Sequence, residues 1–305
     1  MAKKHRFDWH DFWVAPDQQL RLSDRPTKTD LGLSSKEAAR EALEEDVEAL
    51  TEAQQVLYAS QSRAVLIVLQ GMDAAGKDST IRHVMGQVNP QGCRVHSFKA
   101  PTDAEARRHC LCRPVPHLPE LGMMAIFNRS YYEEVFVVRV HPEFLLRQRL
   151  PMLDSLDEKR LAAVWQRRYQ EIRNFERMLV DNGTMILKFF LHLSPEEQKE
   201  RLLARLTDPH KNWKFNPQDL KERQRWGDYQ RAFEEGIEAT STAQAPWFII
   251  PADRKWYARA VIADIIAGKI EQLDLRYPEL TAQEREQLQS YMQQLLSEGQ
   301  GEATG

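Results

Sequence analysis

Residues 64–80, AVLIVLQGMDAAGKDST, constrain the fold more than any other stretch. An apolar run of strand length, Ala64–Leu69, leads into Gly71 and then Gly76-Lys77, matching G-x-x-x-x-G-K. The motif carries chemistry only between a strand and a helix, and that is its setting here. Glycines let the backbone curl so that N–H groups face inward, and the helix start behind them adds partial positive charge. Gly71, Ala74, Ala75, Gly76, Ser79 and Thr80 are therefore candidate phosphate-binding positions, with Lys77 as a mobile charge on the transferring group.

Two acids set this loop apart. Asp78 directly follows the lysine, where an ordinary loop of this kind carries a Ser or Thr on Mg²⁺. Asp73 lies inside the loop. A carboxylate beside phosphates is repulsive unless a metal or proton intervenes, so Asp73 is read as a metal ligand or a base. A turn-capping side chain is its plain alternative.

Around the loop, short apolar runs alternate with helical periodicity. CRVHSF (93–98), MMAIFN (123–128), TMILKFFLHL (184–193) and WFII (247–250) read as further strands. Helices are expected from Ser34 or Ser35 to about residue 60, with Glu37 as capping-box partner, and from the loop to about Val88. Others are expected over 155–182, from Ser194-Pro195, and from Asn216-Pro217 without interruption to about Ala239. This alternation means βαβ units: an α/β fold of three layers, a mostly parallel sheet with helices on both faces. The division expected is an extension over 1–34, a core over 35–277 with a helical lid at about 199–225, and an acidic, polar tail over 278–305 with a Gly-rich end. The extension either wraps this core or packs on a partner subunit.

Composition removes several function classes. With 42 Lys+Arg against 45 Asp+Glu the formal net charge is −3, so nothing global marks a binder of nucleic acid or a membrane surface. A polyanion site must be a local patch. No apolar run approaches the about 18 residues of a membrane span, and MAKKHRFDWHDFW has no apolar signal-peptide core. Three cysteines are too few for a disulfide scaffold and suit a reducing, cytoplasmic setting. Cys110 and Cys112 have no second pair to complete a metal site and are read as free thiols.

In open α/β sheets ligands bind beyond the carboxyl ends of the strands, and MMAIFN ends there in Asn128-Arg129-Ser130-Tyr131-Tyr132-Glu133. Asn128 takes the place of a Walker B aspartate. Arg129 has the fork geometry for two phosphate oxygens, and Glu133 offers the metal a charge that Asn128 lacks. Residues 199–225 carry eight Lys or Arg against four Asp or Glu, and Arg201 and Arg205 share a helix face. Charge runs are usually solvated faces. A basic helix–loop–helix hairpin late in such a fold favours a lid that closes over phosphates and excludes water.

Together these segments closely resemble the type 2 polyphosphate kinase family over about residues 40–275. The matching stretches include VLIVLQGMDAAGKDSTIRHVMGQVNPQGCRVHSFKAPT, IFNRSYYEEV, WQRRYQEIRNFERML, DPHKNWKF and APWFIIPADRKWYAR. The resemblance implies a thymidylate-kinase-like P-loop kinase fold and Mg²⁺-dependent transfer (with Mn²⁺ as a substitute) between inorganic polyphosphate and adenine or guanine nucleotides. It implies a homo-oligomer, dimer or tetramer. It assigns Asp73, Lys77, Arg129 and Glu133 to the Walker A and B functions, and Arg201, Arg205, Lys211 and Lys214 to the lid. The N-R-S-x-Y-E form resembles the branch accepting mono- and diphosphates. His commonly stands where this chain has Tyr131, and residues 109–122 depart from the usual pattern around the basic candidate Arg113. Pro251-Ala252-Asp253 is the expected adenine-side wall. The competing readings are an ATP-dependent nucleoside or nucleotide kinase and a non-catalytic NTP-binding switch.

Overall fold

Apolar residues of alternating side bury both faces of one sheet. The computed structural model describes residues 6–33, 35–151, 153 and 155–298. The strands are β1 (Trp13–Val14), β2 (Ala64–Gln70), β3 (Cys93–Ser97), β4 (Met124–Asn128), β5 (Thr184–His192) and β6 (Trp247–Pro251). Their order is β1-β6-β5-β2-β4-β3, and every neighbouring pair is parallel except β1 with β6. The longer helices are α1 (Lys36–Ser60), α2 (Lys77–Val84), α3 (Glu158–Asp181), α4 (Pro195–Thr207), α5 (Pro217–Gln224), α6 (Trp226–Thr240), α7 (Lys255–Glu271) and α8 (Ala282–Glu298).

Side-chain alternation along β2 distributes the core. Val65, Ile67 and Leu69 pack with Leu50 and Leu57 of α1 and Val261 and Ile265 of α7. Leu66 and Val68 face Trp165 and Ile172 of α3 and Phe233 and Ile237 of α6. A strand buried on both faces reads as an unbroken apolar run, which is why residues 64–69 show no period-two pattern. The chain leaves β2 for the far edge at β3, returns through β4, and then crosses to β5 on the other side. That reversal opens a crevice at the carboxyl end of β2, where the Gly71–Gly76 loop sits.

The structure corrects several expectations. α1 is capped by Ser35, whose hydroxyl accepts from Ala38 N–H at 3.1 Å. Ala38 thus holds the capping-box position and Glu37 stands one residue too early; Ser34 lies outside the described residues. α2 stops at Val84 rather than Val88. The helix expected from 217 to 239 breaks at Arg225, which takes ψ 24° and donates to Val140 C=O at 3.1 Å. The break lets α6 bury Tyr229, Phe233 and Ile237, whereas α5 buries Asp219 alone.

Residues 6–33 wrap this chain's own core. Val14 is fully buried in β1 against Trp247 with Leu20 and Leu22 in the same cluster, while Phe7 is buried in the cluster on the sheet's other face. A two-residue strand carries too little pattern to be read from sequence. At the other end, α8 buries no residue, and the expected Gly-rich end, 299–305, lies outside the described residues. Among the described residues no helix is long and apolar enough to cross a membrane.

Candidate active site at the carboxyl ends of the strands

The loop after β2 is built by backbone conformations that few residues tolerate. Gly71 has φ +146°, and a Cβ there would stand 2.8 Å from Leu191 C=O, so only glycine fits between β2 and β5. Ala74, at φ +65°, holds the left-handed conformation without a glycine's freedom. Gln198 of α4 donates to Asp73 C=O at 2.9 Å and fixes the loop from the lid side.

Four of the sequence candidates converge here. Arg129, at the end of β4, donates to Asp73 Oδ1 at 2.6 Å and to Glu133 Oε2 at 3.0 Å. Its own φ of +63° turns the guanidinium back over the loop. Lys77 is nearly buried, and its Nζ donates to Gly71 C=O at 2.7 Å and Met72 C=O at 3.2 Å. Burial is the main cause that brings the Lys77 ammonium down to about 8, with Arg129 adding to it and Asp73, Glu133 and Asp78 opposing. The Arg129 guanidinium is held firmly charged, first by Glu133.

Asp78 and Asn128 answer each other. Asn128 Nδ2 donates to Asp78 Oδ1 at 2.5 Å and to Ser97 Oγ at 3.3 Å. The amide in the Walker B place thus docks the acid that replaces the usual hydroxyl. Ser79 Oγ accepts from Arg259 of α7 at 2.7 Å, while Thr80 is buried and its N–H closes the first turn of α2 on Gly76 C=O. Behind the site, Tyr131 and Tyr132 both donate to Glu176 Oε1 at 2.8 Å, and the buried Lys188 donates to Glu176 Oε2 at 2.7 Å.

The lid residues separate into two groups. Arg201 does not reach outward. Its guanidinium donates to Ala74 C=O and Ala75 C=O at 3.0 and 2.8 Å, to Ala252 C=O and Asp253 C=O at 2.6 and 3.0 Å, and to Glu197 at 2.7 Å. All five of its N–H groups are thereby engaged in bracing the loop against β6. Arg205 pairs with Asp219 of α5 at 2.8 Å, Lys211 pairs with Asp208 at 2.7 Å, and Lys214 lies over the exposed Trp213 ring at 4.9 Å. Asp219 is pushed up to about 6, first by burial and then by Asp73, so the lid carboxylate feels the loop. Arg113 stands apart: it donates to Lys99 C=O at 2.7 Å and lies over Phe98, one strand away from the Asp73–Arg129 cluster. In the Pro251–Asp253 segment, the Asp253 carboxylate accepts from Ser194 N–H at 2.8 Å and Thr27 Oγ1 at 2.9 Å.

Sequence reasoning missed Lys255 and Arg259, one turn apart on α7. The Lys255 ammonium is lowered by burial and then by Arg201, with Glu197 opposing and Arg259 and Lys211 adding, and Arg259 is lowered by burial, Arg82 and Arg201. Cations crowded against cations need an anion to relieve them. The i, i+4 spacing of Lys255 and Arg259 directly after the last strand was the available signal.

The polyphosphate kinase 2 family model matches residues 33–278. The chain is 47% identical over 285 residues to the ADP-polyphosphate phosphotransferase of Rhodopseudomonas palustris, covering 93% of this chain and 97% of that one. It is 45% identical over 267 residues to the AMP/ADP-polyphosphate phosphotransferase of Meiothermus ruber, covering 87% and 94%. The crystal structure of polyphosphate kinase 2 from Arthrobacter aurescens superposes with a TM-score of 0.83 at 34% identity, covering 95% of this chain and 99% of that one. A loop braced by Arg201, a guanidinium shared by two acids and likeness over nearly the whole length agree: this chain belongs to the polyphosphate kinase 2 family.

Proposed function

We propose that this chain is a polyphosphate:nucleotide phosphotransferase that moves the terminal phosphoryl group of inorganic polyphosphate onto ADP or AMP, and runs the reverse reaction. The observation that carries the reading is the convergence of Asp73, Lys77, Arg129 and Glu133 at one strand-end loop, flanked by the cations Lys255 and Arg259. The 45–47% identity to relatives named for ADP and AMP/ADP supports these acceptors, as does the N-R-S-Y-Y-E run. Guanine nucleotides are the second class to test, given a GDP-polyphosphate phosphotransferase 31% identical over 224 residues.

The chain's own groups divide the work. The terminal phosphoryl group lies in the loop, where backbone N–H groups, Lys77 and Arg129 share its charge. One P–O bond of the donor anhydride breaks, its electron pair staying with the shortened chain, and a new P–O bond forms to the acceptor's terminal phosphate oxygen. That oxygen is already anionic, so no strong general base is needed. Arg205, Lys211 and Lys214 draw the lid over the phosphates and keep water from competing. Lys255 and Arg259 guide the rest of the polyanion along α7. Arg201 acts through the loop rather than on the substrate.

Asp73 and Glu133 fit a divalent ion: both place carboxylate oxygens around one cation, Arg129, and hard oxygens suit Mg²⁺ or Mn²⁺. Bound there, the ion supplies further positive charge at the phosphate oxygens. Three cysteines outside any disulfide fit a reducing, cytoplasmic setting.

The decisive assay supplies polyphosphate, Mg²⁺ and ADP with no ATP and looks for ATP. Formation of ATP, lost by orders of magnitude in Asp73→Asn with the fold retained, supports the proposal. Turnover only with ATP as donor would make the chain an ordinary nucleotide kinase, and nucleotide binding without turnover would make it a switch.

A further inference from the structure

Residues 109–122, which depart from the family pattern, bring chemistry to a place remote from phosphate transfer in kind. One ligand atom each of His109, Cys110 and Glu171 lies within 4.8 Å of the other two, and no other trio of His, Cys, Asp or Glu among the described residues converges so closely. No second cysteine pair completes a site at Cys110 and Cys112. The missing ligands come instead from the neighbour of Cys110 and from another element: His109 caps the short turn Cys110–Cys112, and Glu171 projects from the long helix α3.

We propose that His109, Cys110 and Glu171 bind a borderline transition-metal ion of the Zn²⁺ class, with water as fourth ligand, and so clip the 109–112 turn to α3. Imidazole and thiolate select Zn²⁺ or Co²⁺ over Mg²⁺, which prefers oxygen, so this site is chemically separate from the Asp73–Glu133 carboxylates. Ligand bonds of about 2.0–2.3 Å in a tetrahedron separate the ligand atoms by about 3.5 Å. His109 Nε2 and Glu171 Oε2 are already 3.6 Å apart. On the same helix, Arg168 is engaged elsewhere, by the Glu134 carboxylate at 2.7 Å and by Glu134 C=O at 2.8 Å. Ligation through Nε2 places the ring proton on Nδ1, and the long bond that Nδ1 now accepts from Leu111 N–H, 3.3 Å, gives way. Cys112, two residues on, is exposed and outside the trio.

The clip would order a turn that precedes Arg113, which holds Lys99 C=O beside the sheet mouth. Binding to the folded chain alone raises its stability by mass action.

The test titrates Co²⁺ alone into the full-length protein after chelator treatment and follows near-ultraviolet thiolate-to-cobalt absorption. One equivalent of Co²⁺ should produce the band, and excess Mg²⁺ should leave it in place. Cys110→Ser and His109→Ala should each abolish it; His109 is exposed and Cys110 half-buried, so each variant's fold is checked by its melting transition. Loss of a ligand's partner already costs about 10–100-fold in metal affinity, so Glu171→Gln should weaken binding by at least about tenfold. Cys93→Ser, Cys112→Ser and Asp73→Asn should keep the band, and Zn²⁺ should raise the melting midpoint of the parent but not of Cys110→Ser. Absence of the band, its persistence in Cys110→Ser, or its loss in Cys112→Ser would overturn the assignment.

Discussion

Lys77 and Glu176 make opposite use of buried charge. Lys77 loses its proton as pH rises through about 8 instead of 10.5, because burial outweighs the three acids around it. Between those values the unfolded chain holds a proton that the folded chain lacks, so this group's contribution to stability improves as pH rises from 8. Phosphate binding needs the charge, so kcat/KM of the parent should fall through an apparent pKa near 8. Asp73 opposes that lowering and Arg129 promotes it, so the midpoint should move down in Asp73→Asn and up in Arg129→Gln. A pH profile unchanged in both would remove Lys77 from the titration. Glu176 instead pairs with Lys188 at 2.7 Å inside the core while accepting from Tyr131 and Tyr132. Glu176→Gln leaves a buried ammonium uncompensated and should cost about 3–5 kcal/mol in denaturant unfolding. Replacing Lys188 as well, in Glu176→Gln/Lys188→Met, should recover much of that loss.

At the scale of elements, α4 does two jobs that charge counting merged. Its eight-against-four basic excess, counted with the loop and α5, reads as one lid, yet Arg201 faces inward onto four backbone carbonyls while Arg205 faces α5. Formal charge along a chain cannot say whether an arginine meets a phosphate or a carbonyl. The two roles separate by salt. Arg201→Ala leaves buried carbonyls unpaired at about 1–3 kcal/mol each, so it should lower the melting midpoint and kcat together, with little change in salt dependence. Lys211→Ala/Lys214→Ala should leave the midpoint alone, raise KM for polyphosphate and flatten its dependence on ionic strength. The opposite pattern would exchange their assignments. Strands β2, β4, β5 and β6 were legible to within a residue at either end, because buried parallel strands are continuous apolar runs flanked by turn formers. The loop residues were legible through spacing. Lys255 and Arg259 were not, because on a helix of strongly apolar character two cations look like an ordinary solvated edge, and only tertiary placement beside Arg201 and Ser79 reveals them.

Over the whole molecule the two ends of the chain behave differently. The first described residues are core: Leu22 N–H donates to Glu234 at 2.7 Å, Thr27 Oγ1 donates to Asp253 at 2.9 Å, and Phe7 meets Tyr257 edge-on at 5.8 Å. The last helix is the reverse. Leu288, Tyr291, Met292, Leu295 and Leu296 of α8 recur at helical spacing and are all more than half exposed. A contiguous apolar stripe of this kind marks an association surface more often than a solvated one. We propose a second copy of this chain as the occupant, because a two-fold axis would bring the same stripe together with itself. Removing residues 279–305 should therefore leave the secondary structure and the dilute-limit melting midpoint of a single chain intact, because α8 buries nothing within it. Light scattering should report a smaller assembly for the truncated chain. Where association contributes to the parent's stability, its midpoint rises with protein concentration, and that rise should vanish on truncation. An unchanged assembly with a lowered midpoint would mean instead that α8 packs on its own core, and the stripe would have to be reassigned as an intramolecular contact.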